Sequence, residues 1–491
     1  MNGNIVARLT GLSIFVSVTI LAGCTVGPDF QRPAAPTLST YVSRPLVSEG
    51  IGEKFRKGTQ ALIPGTDVPA KWWTQFHAPA LDAWEEEALR ANPDLAADRA
   101  SLNQARELYL AQKGGLLPSV GLSGQAVRQK DSQVVSPTLA QPLSEFTLYT
   151  GQASISYRLD LFGAVRRGVE QASALAEQQR FQYEAAYLSL TTNVAVAAIQ
   201  VASLTDQIRA QENLIEAARK LLEIERSEEQ LGQIAGAEVS TQALALAQAE
   251  AALPPLRKAL AQQEDLLAAL IGHYPSEAQL PPLRLSEFTL PSSLPVTLPS
   301  GLVNQRPDIR AAEAALHAAT AAVGVAEADR LPDLELNASF GGASTALSNL
   351  LGSGNQAWSA AIGVTQPLFD GGALRHKQKA AEAALDQARE QYRSIVIGAF
   401  QNVADTLYAV EHDADALAAD TTAVQAAEKA LGIAQARVRL GSTAGASVLG
   451  IQQNYQAAVI SLAQAEANRL TDTVMLYQAL GGGWWNRPKK F

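Results

Sequence analysis

Leu231-Gly232-Gln233-Ile234-Ala235-Gly236-Ala237 and Leu440-Gly441-Ser442-Thr443-Ala444-Gly445-Ala446 interrupt two long helical patterns. Gly232 and Gly441 stand 209 residues apart (441 − 232). In each stretch two glycines, four residues apart, mark where the periodicity stops. Glycine accepts the positive φ that ends a helix and reverses the chain. Each stretch therefore predicts a tight turn between a long helix and a returning one. Glu238 after the first turn and Ser447 after the second are candidate caps of the returning helices, Ser being the better cap.

The pattern entering the first turn runs from about Gly163 to Leu231, roughly 69 residues or about 100 Å of helix. Tyr183, Tyr187, Leu190, Val194, Ala197, Val201, Leu204 and Ile208 step by four and three, a heptad seam. The second pattern repeats it at Val396, Ala399, Val403, Thr406, Val410, Asp413, Leu417, Asp420, Val424, Ala427, Leu431, Ala434 and Val438. An acidic seam position suits a helix edge near water, and a water-filled interior is the alternative. Shorter helices, about 81–114 and 238–271, have roughly 34 residues each, so two stacked end to end match one long helix. Pro254-Pro255 predicts a kink or break in the second of them.

The turns belong to a larger repetition. Asn92-Pro93-Asp94-Leu95 matches Arg306-Pro307-Asp308-Ile309, and Leu117-Pro118 matches Leu331-Pro332, both at an offset of 214 (307 − 93, 332 − 118). Leu161-Phe162 against Leu368-Phe369 gives 207 (368 − 161), and Gly272 against Gly481 gives 209 (481 − 272). This predicts a tandem duplication whose period is too long for a solenoid.

Each half also carries a hairpin of alternating residues. In the second, Leu334, Leu336, Ala338 and Phe340 alternate with Asp333, Glu335, Asn337 and Ser339. Its return strand sets Trp358, Ala360, Ile362 and Val364 against Ser359, Ala361, Gly363 and Thr365. In the first, Tyr149, Ala153, Ile155, Tyr157 and Leu159 alternate with Gln152, Ser154, Ser156, Arg158 and Asp160, opposite a strand from about Val120 to Gln129. Strands of about ten residues with one apolar face suit a membrane barrel; a soluble half-buried sheet is the other reading. Phe146, Tyr149, Phe340 and Trp358 are candidate interfacial girdles. Four strands cannot close, since about eight are needed for even a filled barrel. The barrel must be shared: two copies give eight strands and a plugged bore, three give twelve and an open one.

Arg8 precedes an apolar run from Leu12 to Leu21, then Leu21-Ala22-Gly23-Cys24. The run reads as a signal peptide, residues 1–23. Small residues before the single cysteine resemble a bacterial lipobox, which implies cleavage before Cys24 and diacylglycerol on its sulfur. Thr rather than Asp at position 25 resembles the signal for outer-membrane sorting. After Cys24 no stretch approaches 18 uninterrupted apolar residues, so any crossing must be a closed β-barrel.

Composition narrows the function. Net charge is −9 with no basic block, which argues against nucleic acid as a partner. One cysteine permits no internal disulfide and no thiolate zinc cluster, and the five histidines are scattered. The chain has no P-loop, dinucleotide fingerprint, catalytic motif or metal spacing, so no enzyme, cofactor or metal site is expected.

Five stretches resemble the outer membrane factor family, the TolC/OprM/NodT-like exit ducts of efflux and secretion systems. They are Cys24-Thr-Val-Gly-Pro-Asp-Phe-Gln-Arg-Pro33, Trp72-Trp73-Thr-Gln-Phe76, Leu298-Pro-Ser-Gly-Leu-Val-Asn-Gln-Arg-Pro-Asp-Ile-Arg310, Pro367-Leu-Phe-Asp-Gly-Gly372 and Tyr477-Gln-Ala-Leu-Gly-Gly-Gly-Trp484. The lipobox start and the Arg-Pro-Asp-Ile stretch look most like the lipoprotein branch serving resistance–nodulation–division pumps. The resemblance implies an α+β fold: a homotrimer with an outer-membrane β-barrel of four strands per subunit, continued by a long α-helical periplasmic barrel. It implies that the tips meet a periplasmic adaptor, which links the duct to an inner-membrane efflux transporter. Leu231, Gly232, Gly236, Leu440, Gly441 and Gly445 match the adaptor-contact motifs. Entrances in the family are often ringed by carboxylates. Glu238 matches such an acid, Ser447 replaces the second, and Thr443 and Gly445 stand where related ducts carry Asp and Tyr. The gate candidates are therefore Glu238, Thr443 and Ser447, with a thinner acidic ring; Glu228 and Glu229 are further candidates or a solvated charge run.

The expected divisions are the signal peptide (1–23), a lipidated surface segment (24–80), repeat 1 (81–272), a linker (273–304), repeat 2 (305–481) and a tail (482–491). Repeat 1 holds hairpin 119–160 and tip turn 231–237; repeat 2 holds hairpin 333–367 and tip turn 440–446. The expected function is a passive efflux exit duct, lipid-anchored in the outer membrane and reaching into the periplasm. The alternatives are a duct for protein or peptide secretion and a lipid-anchored helical scaffold with no pore.

Overall fold

The computed structural model describes residues 25–43, 60–130, 145–439 and 446–488. They divide into two compact units. One comprises the described residues within 1–33, 102–179 and 312–392; the other comprises those within 34–101, 180–311 and 393–491. In chain order the elements are β1 (Ala61–Pro64), α1 (Pro79–Ala91), α2 (Pro93–Gly114), β2 (Ser119–Gln129), β3 (Phe146–Leu159), α3 (Ala164–Gln230) and α4 (Gly236–Leu270). There follow β4 (Ser293–Val296), α5 (Pro299–Gln305), α6 (Pro307–Ala328), β5 (Asp333–Ser344), β6 (Gln356–Thr365), α7 (Ala373–Arg439) and α8 (Ala446–Ala479).

The first unit holds a four-stranded antiparallel sheet in the order β2-β3-β5-β6. Both hairpins form where alternation predicts them. Asp160 accepts from Val165 N at 3.0 Å and Arg166 N at 2.8 Å, which starts α3. Asp370 does the same for α7 through Gly372 N and Leu374 N. A carboxylate at a helix N-terminus satisfies free N–H groups and meets the positive end of the dipole.

α3 and α7 have 67 residues each, about 100 Å at 1.5 Å per residue. None of the seam residues of either helix is exposed. Among the described residues α3 alone is long and apolar enough to cross a membrane by composition, yet 61% of its apolar window is buried within the fold. It reads as a packed helix.

Four expectations need correction. The helix expected over 81–114 is two helices, broken at Asn92, whose ψ is 123°. A residue before proline is pushed out of the helical region. Asn92 uses the break: its Oδ1 accepts from Leu95 N at 2.9 Å and its Nδ2 donates to Leu270 O at 2.9 Å. Arg306 repeats the device before Pro307, also with ψ of 123°, and α5 falls inside the expected linker. The break expected at Pro254-Pro255 does not occur; α4 stays helical through both prolines. Gln211 Nε2 donates to Ala249 O at 2.7 Å beside the carbonyls the prolines leave free. Packing along the long helix overrides local propensity here. The segment expected only to lie over the surface (24–80) contributes β1, parallel to β4.

Trp72, Trp73 and Phe76 are completely buried in the second unit, and Trp72 stacks on Tyr477 with centroids 5.6 Å apart. Gly483 has φ +69, and a Cβ there would lie 2.4 Å from Val68 O. Only glycine fits that turn and approach. Asn486 Nδ2 then donates to Val68 O at 2.8 Å. The Trp-Trp and Gly-Gly-Gly-Trp stretches thus pack against each other through Val68, and residues 482–488 of the expected tail take part in that packing.

Glu85 is fully buried, and neither of its carboxylate oxygens has a hydrogen-bond partner. Burial, then the nearby Asp82, push its carboxyl well above the ordinary range. The unfolded chain releases this proton near pH 4, whereas the folded chain keeps it. The group's contribution to stability therefore declines as pH rises above about 4. Glu85→Gln is expected to raise the melting temperature, with a gain larger at pH 8 than at pH 5. Thermal melts at both values check it; an equal or opposite shift contradicts it.

Candidate functional site

The sheet has one apolar and one polar face, and the register runs this division across all four strands. Val120 pairs with Ile155 and Ile155 with Ala338; Leu122 pairs with Ala153, and Ala153 with Phe340. Leu336 pairs with Ile362, Leu334 with Val364, and Phe340 with Trp358. These apolar side chains face outward: Leu122 is 88% exposed, Trp358 77% and Ile362 63%. The opposite face carries hydroxyl pairs, Ser119–Ser156 at 2.7 Å and Ser339–Ser359 at 2.9 Å, and the ion pair Arg158–Asp333 at 2.6 Å. A soluble sheet covers its apolar face with other elements; among the described residues this one leaves most of that face open. β2 and β6 are edge strands, each with one row of backbone groups unpaired within the chain.

Beside the sheet, the residues after position 24 are firmly held. Val26 N donates to Phe162 O at 3.0 Å. Arg167 donates to Val26 O, to Asp29 Oδ1 at 2.7 Å and to Glu170 Oε2 at 2.8 Å. His317 Nε2 lies 2.8 Å from Glu170 Oε1, and its ring stacks on Phe30 at 4.3 Å. Sequence reasoning missed this network, whose members lie up to 291 residues apart (317 − 26). Cys24 lies outside the described residues.

The first tip turn is described and open. Gly232 has φ +74, its N–H reaches Glu229 O at 2.8 Å, and Gln233 N reaches Glu228 O at 2.9 Å. This is a helix end closed by a left-handed glycine. Leu231 is 72% exposed, and no described residue lies within 4 Å of where a Gly232 Cβ would be. A Cβ on Gly236 would meet only the end of Glu229. Glu238 does not cap α4. The cap position is Ala235, which makes no side-chain bond, and Glu238 is the third helical residue, its N–H on Ala235 O at 2.9 Å. There its charge meets the helix dipole favourably. Ser447 is the second residue of α8, so it is not the cap either. Leu440, Gly441, Thr443 and Gly445 lie outside the described residues.

The structure adds Glu225 to the acidic tip. It is buried at 3% exposure, and burial, then Glu228 and Glu238, raise its carboxyl above the ordinary range. Its place on the inner helix face, among exposed acids, was the one available signal. Farther along α7, Asp413 is neither a wet edge nor a water-lined interior. It packs with Asp472 against Arg469, a guanidinium at 1% exposure that donates to Val410 O. Burial, then the hydrogen bond that the protonated Asp472 donates to Asp413, push Asp472 up to about 7; burial draws Arg469 down to about 10. Asp413 thus sets a carboxylate beside a buried cation, whereas Asp420 accepts from Ser461 Oγ at 3.0 Å. Among the described residues no cluster of His, Cys, Asp and Glu suits a metal.

A model of the outer membrane efflux protein family matches residues 84–273 and 298–482. The toluene efflux pump outer membrane protein TtgC of Pseudomonas putida is 29% identical over 480 residues, covering 97% of this chain and 96% of that protein. The solved outer-membrane channel OprN is 27% identical with a TM-score of 0.82, covering 94% of this chain and 100% of that one. The outer membrane protein VceC of Vibrio cholerae is 27% identical with a TM-score of 0.76, covering 85% of this chain and 100% of that one.

Proposed function

Because this chain belongs to the outer membrane efflux protein family, we propose that it is the outer-membrane exit duct of a tripartite efflux pump of the resistance–nodulation–division type. It conducts substrates passively; an inner-membrane transporter supplies the energy and a periplasmic adaptor joins the two. The carrying observation is the uncovered, one-faced sheet with two unpaired edges. In lipid an open edge leaves backbone groups unsatisfied, so the edges must close on other copies. Three copies give twelve strands and a water-filled bore. The polar face, with its serines and the Arg158–Asp333 pair, suits the wall of that bore. The relatives' names point to small organic substrates such as toluene.

The equal 67-residue helices, each following a hairpin and leading to a shorter helix, support an origin by tandem duplication. The first tip turn, open and rimmed by Glu225, Glu228 and Glu238, fits an adaptor contact and an acidic entrance. Leu440, Gly441 and Gly445 take the same adaptor role in the second tip, with Thr443 and Ser447 at the entrance. A lipid on Cys24 adds an anchor, and the network on Thr25 to Phe30 fixes its exit beside the sheet. Labelled palmitate checks the anchor: Cys24→Ser is expected to lose the label, and a labelled Cys24→Ser chain contradicts it. Purification in mild detergent tests the duct. The expected result is a heat-dissociable trimer; a monomer with the same native β signal overturns the reading.

A further inference from the structure

The loop joining β5 to β6 has a composition unlike that of a water-facing loop. From Leu336 to Phe369 the sequence has no Asp, Glu, Lys or Arg, and residues 345–355 include Leu347, Leu350 and Leu351. The other hairpin differs: its connection carries Lys130, Asp131 and Glu145, with Arg128 at the end of β2. Exposed leucines in bulk water are unfavourable, and an apolar patch marks an interaction surface.

The loop is firmly built. Gly352 N donates to Asn349 O at 3.0 Å and Asn355 N to Gly352 O at 3.1 Å. Asn355 Nδ2 reaches Asn349 O at 2.7 Å, and Gln356 Nε2 reaches Leu351 O at 3.1 Å. It folds back over the apolar face of the sheet. Gly151 and Gly342 are register partners on that face. A Cβ on Gly151 would lie 3.0 Å from Leu350 Cδ2, and one on Gly342 only 2.0 Å from Leu350 O. Glycine allows the approach. With Leu350 seated, Leu347 and Leu351 remain 65% and 67% exposed. The next rung on the same face is the aromatic pair Phe340–Trp358.

We propose that residues 345–355 form a lipid-embedded rim: Leu347 and Leu351 enter the acyl region of the outer leaflet while Leu350 locks the loop to Gly151 and Gly342. The proposal rests on the reading of the sheet as a membrane barrel. Lipid is favoured over a second copy by position. Gly151 is on β3 and Gly342 on β5, the two inner strands, whereas another copy joins at the edges β2 and β6. The loop also continues the surface formed by Phe340, Trp358 and Ile362.

Nitroxide labels test it in the full-length protein reconstituted into phospholipid vesicles. Leu347→Cys and Leu351→Cys are compared with Ile362→Cys on the apolar face and Ser339→Cys on the polar face, with the parent chain as baseline. Collision with oxygen reports lipid, and collision with a nickel chelate reports water. The expected result is that Leu347 and Leu351 follow Ile362, oxygen-accessible and shielded from nickel. Adding Gly342→Val, which displaces Leu350, should move the Leu347 label toward nickel. If the loop labels follow Ser339 while Ile362 stays in lipid, the rim is wrong and the barrel stands. Shielding of the loop labels from both probes overturns it in favour of a protein contact. Nickel access at Ile362 overturns barrel and rim together.

Discussion

A Gly232→Asp, Gly441→Asp double variant is expected to reach the outer membrane as a heat-dissociable trimer and to lose drug export and adaptor cross-linking together. Gly232 holds φ +74 at the end of a 67-residue helix. Replacing glycine at such a turn costs roughly 1 kcal/mol, and aspartate tolerates the left-handed region better than most residues. No described residue lies within 4 Å of a Cβ at position 232, so the first tip has no steric reason to fail. Leu231 and its neighbours are exposed, leaving the turn free for a partner helix that needs close backbone approach. An added charge beside Glu228 and Glu229 further disfavours an apolar or acidic partner surface. Export assays with envelope cross-linking check the outcome. Normal export, or loss of the trimer, would make the turns merely structural.

Ile362→Arg is expected to abolish outer-membrane assembly, whereas Ala361→Arg, one residue away, is expected to assemble. Ile362 pairs with Leu336 on the apolar face and Ala361 with Asn337 on the polar one. Arginine facing lipid at the midplane costs about 2–4 kcal/mol, and a trimer carries that cost three times. On the polar face the guanidinium meets water. Membrane fractionation and heat-modifiability of the two variants check this. Equal assembly of both variants contradicts the assignment of faces.

The sequence made the periodic elements legible and hid what depends on distant packing. Alternation at Leu334–Phe340 and Trp358–Val364 located the second hairpin, because a strand's faces repeat every two residues. The heptad seams were legible for the same reason, as every seam residue is sheltered. Asn92 shows the limit. Its proline neighbour was visible, but the helix break depends on a side chain that also reaches Leu270 O, 178 residues on. Pro254-Pro255 erred the other way: local chemistry argued for a break, yet α4 stays helical through both prolines beside the long helix that it is bonded to. Trp72-Trp73 and Gly481-Gly482-Gly483 served as recognition motifs; the structure gives them a packing role, where Trp72 stacks on Tyr477 and Gly483 lies against Val68. At the tip, Gly232 was readable from the turn it must make. The burial of Glu225 was not, since it depends on which helix face the returning chain covers.

The most direct measurement of the shared, water-filled barrel is a cysteine scan along β6, from Ala357 to Val364, in the membrane-inserted protein. A charged, water-soluble thiol reagent is expected to modify Ala357→Cys, Ser359→Cys, Ala361→Cys and Gly363→Cys from the bore. It should spare Trp358→Cys, Ala360→Cys, Ile362→Cys and Val364→Cys, which face lipid. Uniform modification of both sets, or protection of both, would contradict a strand with lipid on one side and water on the other.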